Sequence, residues 1–364
     1  MSNVLKSLEQ GLTSEGLDAL LITDPKHVYY LTGFASNPHE RFLGLLLVRG
    51  EEPVLIVPAL DAEAAHAASS VKNISTHSDT DNPYDLLRQR LQGKKLGAVG
   101  IEKEHFTVSR FEQLAAAVPA ERFSDIGHLL RSMRAKKTPE EVAAMKHAAE
   151  LVEEVLRRGL KHVKAGVSEI ELVAELEYLM KKLGASGPAF DTLVLSGPNT
   201  ALPHGEPGSR IIEPGDFLMF DLGLYAAGYA SDITRTFAVE EADSKLTGIY
   251  NAVLAANEAG IAAAIPGATF GSVDRAAREV IEAAGYGEYF VHRVGHGLGI
   301  DVHEYPSLHG LNEDIIEVGN VFTVEPGIYV PGVGGVRIED DVFVSENGAQ
   351  TLTSFPKALT VLHL

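Results

Sequence analysis

FLMFDLGLY at residues 217–225 and YASDITRTF at residues 229–237 decide how this chain is read. Both are rich in aromatic and β-branched residues, and Ala226-Ala227-Gly228 between them predicts a hairpin. Asp221 and Asp232 fall inside the two strands, where aspartate is disfavoured. Side chains alternate between faces, so Asp221 is expected on the face of Gly223 and Asp232 on that of Thr234. The turn brings the two carboxylates together. Unpaired, they would repel until one took up a proton, and a cation between them removes the conflict. Salt-bridged or turn-capping acids are the plainer alternative.

Further along, VHRVGHGLGIDVHEYP (291–306) holds His292, His296 and His303. The i, i+4 spacing of His292 and His296 would suit a helical zinc site, but Gly295, Gly297 and Gly299 argue for a strand or loop, and no HExxH is present. The glycines also lack the GxGxxG spacing of a dinucleotide fingerprint. VFTVEPGIYV (321–330) and GGVRIEDDVFV (334–344) place Glu325 and Glu339 in apolar runs that predict burial. Arg337 and Glu339 are two apart, so an ion pair supporting the sheet is one reading of them. Taken together, Asp221, Asp232, His296, Glu325 and Glu339 offer four carboxylates, a charge of −4 that two divalent cations would balance. Such an oxygen-rich set with one imidazole suits manganese, cobalt or zinc, and paired metals acidify a water and polarise a carbonyl.

The rest of the chain fits a globular protein. Its 364 residues exceed one ordinary core. A net charge of −19 disfavours nucleic acid and anionic membrane as partners. Cysteine is absent, which excludes thiolate metal sites and suits the cytoplasm, and neither a signal peptide nor a membrane span is read. No GxSxG supports a serine hydrolase. Strand and helix patterns alternate up to about residue 125, predicting a small α/β domain over 1–127. Thr138-Pro139-Glu140-Glu141 then opens a long helix. A second follows from Ser168, with Glu171 placed for a capping box. Strands and paired helices fill the remainder of an α+β domain over 128–364.

The order DLG, DITRT, GHGLG, EPG and RIED resembles the metallopeptidases that include Xaa-Pro dipeptidases (prolidases), aminopeptidase P and methionine aminopeptidases, with the "pita-bread" fold. DALLITDPKHVYYLTGF (18–34) resembles the start of the creatinase/prolidase N-terminal domain, with His27 where many relatives carry Asn. The resemblance implies that Asp221, Asp232, His296, Glu325 and Glu339 hold two metal ions, most simply manganese. It also implies that Glu325 shuttles the proton, that His204 (in LPHGEP) and His303 act beside the metals, and that Arg337 and His292 meet the substrate.

The function implied is hydrolysis of the bond preceding proline, in Xaa-Pro dipeptides by a homodimer. Ser36-Asn37-Pro38-His39-Glu40-Arg41 would close the partner's site, with His39 and Arg41 on the substrate carboxylate. Aminopeptidase P activity on longer peptides is the alternative. A metal-free creatinase-like enzyme or a binding protein would have lost the acidic ligands, and all five positions are filled here.

Overall fold

The computed structural model describes residues 3–364, and the chain divides into two units, the first ending at Met133 and the second running from Arg134 to Leu364. In the first, six strands pair in the order Ile74–His77, Val54–Pro58, Gly44–Val48, Ala19–Ile22, Leu96–Ile101, Ala120–Asp125. Ala19–Ile22 runs antiparallel to Gly44–Val48 and parallel to Leu96–Ile101. Leu20, Ile22, Leu45 and Leu47 pack into one core cluster, and Ala19, Leu21 and Leu46 into another. A sheet covered on both faces needs unbroken apolar strands, which is why ALLI and GLLLV lack polar alternation.

The two larger sheets of the second unit, of four and five strands, each have their own pair of helices. Pro139–Gly159 is capped as its sequence predicts, Thr138 and Glu141 closing a capping box, and Ser168 and Glu171 do the same for Glu169–Lys182. Val152, Leu156, Leu172 and Leu176 of these helices pack on Leu218, Phe220, Leu222 and Ile233. The latter lie on a four-stranded sheet ordered Val361–Leu362, Ile233–Val239, Phe217–Leu222, Leu193–Ser196. Helices Ser244–Ala263 and Phe270–Ala283 bury Val253, Val273 and Ala277 with Phe322, Val324 and Val342. These belong to the five-stranded sheet Glu304–Leu308, Gly295–Gly297, Val321–Val324, Asp340–Ser345, Gly348–Thr351.

The predicted hairpin is present but interrupted. Phe217–Leu222 pairs with Ile233–Val239, Thr234 lying opposite Asp221, while Leu224–Ala226 and Tyr229–Ala230 form a separate ribbon. Ala227 (φ 50°) and Gly228 (φ 83°) give the two-residue turn its positive φ angles. The two halves are fastened by a buried charge. Arg235, facing the helices between Ile233 and Phe237, donates to Asp340 Oδ1 at 2.7 Å and to the Phe355 carbonyl at 2.9 Å. Lys357 Nζ adds a second contact with Asp340, at 2.9 Å. Burial opposes the charge on Asp340, yet Arg235 and Lys357 together hold its carboxyl below the usual range.

Removing one member of such a pair strands the other. Asp340→Ala is expected to destabilise the second unit by about 3–5 kcal/mol, measured by urea unfolding. A loss under about 1 kcal/mol, the scale of an exposed pair, would show that this pair does not fasten the halves.

Candidate metal centre and active site

Strand alternation sets the site. On Phe217–Leu222, Leu218, Phe220 and Leu222 face the helices, so Asp221 projects from the opposite face, as does Met219 against Leu193 and Tyr329. On Ile233–Val239 the same face presents Thr234 and Thr236, with Asp232 just before the strand. Thr234 Oγ1 donates to Glu339 Oε2 at 2.7 Å, and Thr236 Oγ1 donates to the Arg337 carbonyl at 3.0 Å. The second sheet contributes His296 on Gly295–Gly297 and Glu325 just after Val321–Val324. The glycine pattern has a steric cause. A Cβ on Gly295 would lie 1.9 Å from the Thr323 carbonyl oxygen, so only glycine lets the His296 strand approach its neighbour.

His296 Nδ1 lies 3.1 Å from the Gly297 carbonyl, which only accepts, so Nδ1 carries the hydrogen. That leaves Nε2 facing Glu325 Oε1 at 3.3 Å and Asp232 Oδ2 at 3.8 Å. Ligand-type atoms of Asp232, His296 and Glu339 all lie within 4.8 Å of one another. Asp221 Oδ1, Asp232 Oδ1 and Glu339 Oε1 are buried and have no hydrogen-bond partner. Orphaned oxygens of this kind are costly unless something positive meets them. Burial, then repulsion from Glu339 and Asp221, pushes the Asp232 carboxyl well above the usual range. Burial, then Glu325 and Asp221, does the same to Glu339. Glu325 behaves oppositely: burial would raise it, but His296 beside it holds it at about 2. The donor set fits divalent cations.

Arg337 is almost wholly buried. Its guanidinium donates to Thr234 Oγ1 at 3.1 Å and to Tyr329 Oη at 2.8 Å, and it closely contacts Asp221 Oδ2. The alternative reading of an ion pair between Arg337 and Glu339 is not met. The strand ends at Arg337 and the next begins at Asp340, so Arg337 pairs across to Asp221 while Glu339 meets Thr234. Tyr329, which the sequence motifs did not single out, links this arginine to His292. His292 Nδ1 donates to the Arg293 carbonyl at 2.7 Å, so its Nε2, 3.0 Å away, accepts from the tyrosine hydroxyl. Burial pushes Tyr329 up to about 12 and His292 downward.

A cleft of about 500 Å³ opens over these groups. Exposed His204 lies on its wall, and the His303 ring stands edge-on to His296 at 4.2 Å between centroids. Burial, then the neighbouring His296, lowers His303 to about 4, so it is neutral at pH 7. Phe190, Leu193 and Pro203 add an apolar wall, and exposed Arg293 a cation that donates to Ser307 Oγ at 2.9 Å. In the first unit, Arg41 grips Asp79 through two nitrogens at 2.7 and 3.1 Å, and exposed His39 takes a positive φ of 54°.

Buried carboxylates converging on one imidazole, at the floor of a cleft that also holds neutral histidine, define a metal-assisted hydrolase. Residues 143–346 match metallopeptidase family M24 and residues 5–136 match the creatinase/prolidase N-terminal domain. The chain belongs to metallopeptidase family M24. The Bacillus subtilis protein YkvY is 42% identical over 362 residues, 99% of this chain and 100% of its own. The Xaa-Pro dipeptidase from Bacillus anthracis superposes with a TM-score of 0.93 at 35% identity over 99% of both chains. An X-Pro aminopeptidase from Thermotoga maritima reaches 0.87 at 33% identity, covering 95% of this chain and 98% of its own. The expected architecture therefore holds: a creatinase/prolidase-type domain precedes an α+β pita-bread domain.

Tyr329→Phe removes the bridge between Arg337 and His292 while leaving the carboxylates in place. Turnover is expected to fall about tenfold, the scale of one hydrogen bond of about 1.4 kcal/mol, with bound metal unchanged. Steady-state kinetics with elemental analysis measures both, and wild-type turnover would show that Arg337 orients Asp221 unaided.

Proposed function

We propose that this protein is a cytoplasmic Xaa-Pro dipeptidase that uses two divalent cations held by Asp221, Asp232, His296, Glu325 and Glu339. The observation that carries the metal assignment is the set of three buried, unpartnered oxygens on Asp221, Asp232 and Glu339, two of these residues clustering with His296, whose Nε2 faces Asp232 and Glu325. Mostly oxygen donors favour manganese, with cobalt or zinc as substitutes. When bound, such cations acidify a water and polarise the scissile carbonyl.

The chain's own groups do the rest. Glu325 is assigned as the proton carrier, taking a proton and passing it to the leaving nitrogen. A bond to proline has no N–H of its own, so that delivery is what frees the proline nitrogen. His204 and His303 donate hydrogen bonds to the substrate, His303 as a neutral imidazole. Phe190, Leu193 and Pro203 supply an apolar surface for the pyrrolidine ring. Arg337, expected to meet the substrate, has its guanidinium turned to Asp221, Tyr329 and Thr234. Arg293 is the exposed cation on the cleft wall and the better partner for a free carboxylate. His292, held by Tyr329, orients that arginine–tyrosine chain.

The preference for dipeptides is assigned to a homodimer in which the loop Asn37–Arg41 of one copy covers the other's cleft. Arg41's grip on Asp79 anchors the end of the loop and leaves His39 to face substrate. Release of the first residue from longer peptides is a second reading, favoured by the likeness to the Thermotoga aminopeptidase.

Manganese-loaded enzyme is expected to hydrolyse Xaa-Pro at least tenfold faster than Xaa-Pro-Yaa, and deletion of residues 37–41 to erase that difference. Equal rates on both substrates would favour the aminopeptidase reading. Asp232→Asn should lose metal and most activity. His303→Ala should keep its metal and lose about 100-fold in turnover, the size of one positioned proton or hydrogen-bond donor; metal lost along with activity would make His303 a ligand instead.

A further inference from the structure

The first unit carries another group of metal-ligating side chains, none of which is among the residues assigned to hydrolysis. Asp24 caps helix Pro25–Thr32, its Oδ1 accepting from the Lys26 amide at 2.8 Å. His27 follows one turn later and therefore lies on the same side of the helix start. Glu102 stands at the end of strand Leu96–Ile101, and His105 follows it by three residues. Two acid-x-x-His segments, Asp24 to His27 and Glu102 to His105, thus meet.

Their contacts cross. His27 Nδ1 touches Glu102 Oε1, and His105 Nδ1 stands 3.8 Å from Asp24 Oδ2. Ligand atoms of Asp24, His27 and Glu102 all lie within 4.8 Å of one another. Glu102 is fixed in place, its Oε2 accepting from the amides of Thr23 at 2.6 Å and Asp24 at 3.0 Å. Its side chain is 4% exposed and that of His27 12%. Nearby, Thr23 Oγ1 is buried and has no hydrogen-bond partner. Thr23, Pro25 and His105 also line a cavity of about 100 Å³.

An ordinary ion pair accounts for only part of this. The ion pair of each carboxylate is with an imidazole, and an imidazole offers a lone pair where lysine and arginine cannot. The 3.8 Å between His105 and Asp24 is too long for a hydrogen bond. It is close to the roughly 3.4 Å that separates two ligands bonded at about 2.0–2.1 Å to one tetrahedral cation.

We propose that Asp24, His27 and Glu102, completed by His105, form a mononuclear site for a zinc-like divalent cation, separate from the hydrolytic centre. Two imidazoles and two carboxylates suit zinc, cobalt or nickel better than manganese or calcium.

The test is a count of zinc on the full chain, stripped with chelator, dialysed against zinc and analysed for bound metal. His27→Asn keeps a hydrogen bond to Glu102 but cannot supply the imidazole, and His105→Gln removes the fourth ligand. Each variant is expected to hold one zinc fewer per chain than wild type, with unchanged hydrolysis after manganese loading. A variant with Asp232→Asn and Glu339→Gln should retain the zinc that His27→Asn loses. The difference between wild type and His27→Asn reads this site whatever the count at the hydrolytic centre. Folded His27→Asn and His105→Gln proteins, checked by circular dichroism, that bind as much zinc as wild type would overturn the proposal.

Discussion

Uncompensated negative charge is the constraint around which the second unit is organised. Asp221, Asp232, Glu325 and Glu339 lie where water reaches them poorly, and the protein brings few cations to them. Arg337 is committed to Asp221, and His296 leans toward Glu325 and Asp232. Desolvating a carboxylate costs far more than any single packing contact returns. A chain that keeps four of them together does so for a ligand of high positive charge. The apolar packing behind each sheet, with two helices per sheet, supplies the stability against which this cost is set.

Three consecutive acids show how finely the charge is distributed. Glu339 points at the site and is held by Thr234. Asp340 turns the other way, into Arg235 and Lys357. Asp341 returns to accept the backbone amide of Asp232 at 3.1 Å. Strand alternation accounts for the reversal between Asp340 and Asp341. Asp340 ties the second sheet to the first, and Asp341 fixes the backbone that carries Asp232, so neighbours in sequence work on separate parts of one centre.

Much of this was legible. Aspartate in an apolar strand, histidine among glycines and glutamate in a buried run each contradict local preference, and such contradictions gather at functional sites. The caps at Thr138 and Ser168 were equally plain, because their partners lie three residues away. What escaped has two causes. Some residues look like core: Tyr329 sits in GIYV, where an aromatic is unremarkable, and only its hydroxyl, between Arg337 and His292, gives it a role. Other partnerships are too remote in sequence to read. Sequence spacing offers Arg337 only the nearby Glu339 as an ion-pair partner, whereas its partner Asp221 lies 116 residues earlier. Helices Pro25–Thr32 and Pro83–Leu91 carried their Asp-Pro and Asn-Pro start signals, but short helices between strands lack the periodicity that would announce them.

The cleft itself bears on what the fold leaves to be decided. At about 500 Å³ it falls in the range that accepts drug-sized ligands, so volume alone would not turn away a third residue. A dipeptide differs from a longer peptide most sharply in charge, because its carboxylate lies next to the scissile bond. Discrimination therefore rests on what stands at that end. Arg337 is spent within the site, and Arg293 is exposed on the wall. A solvent-exposed guanidinium gives only a modest preference for an anion. Strong selectivity requires that the same end be closed off from water, where the charge is worth more. On the proposed reading, the choice between dipeptidase and aminopeptidase rests on how completely that carboxylate end is enclosed.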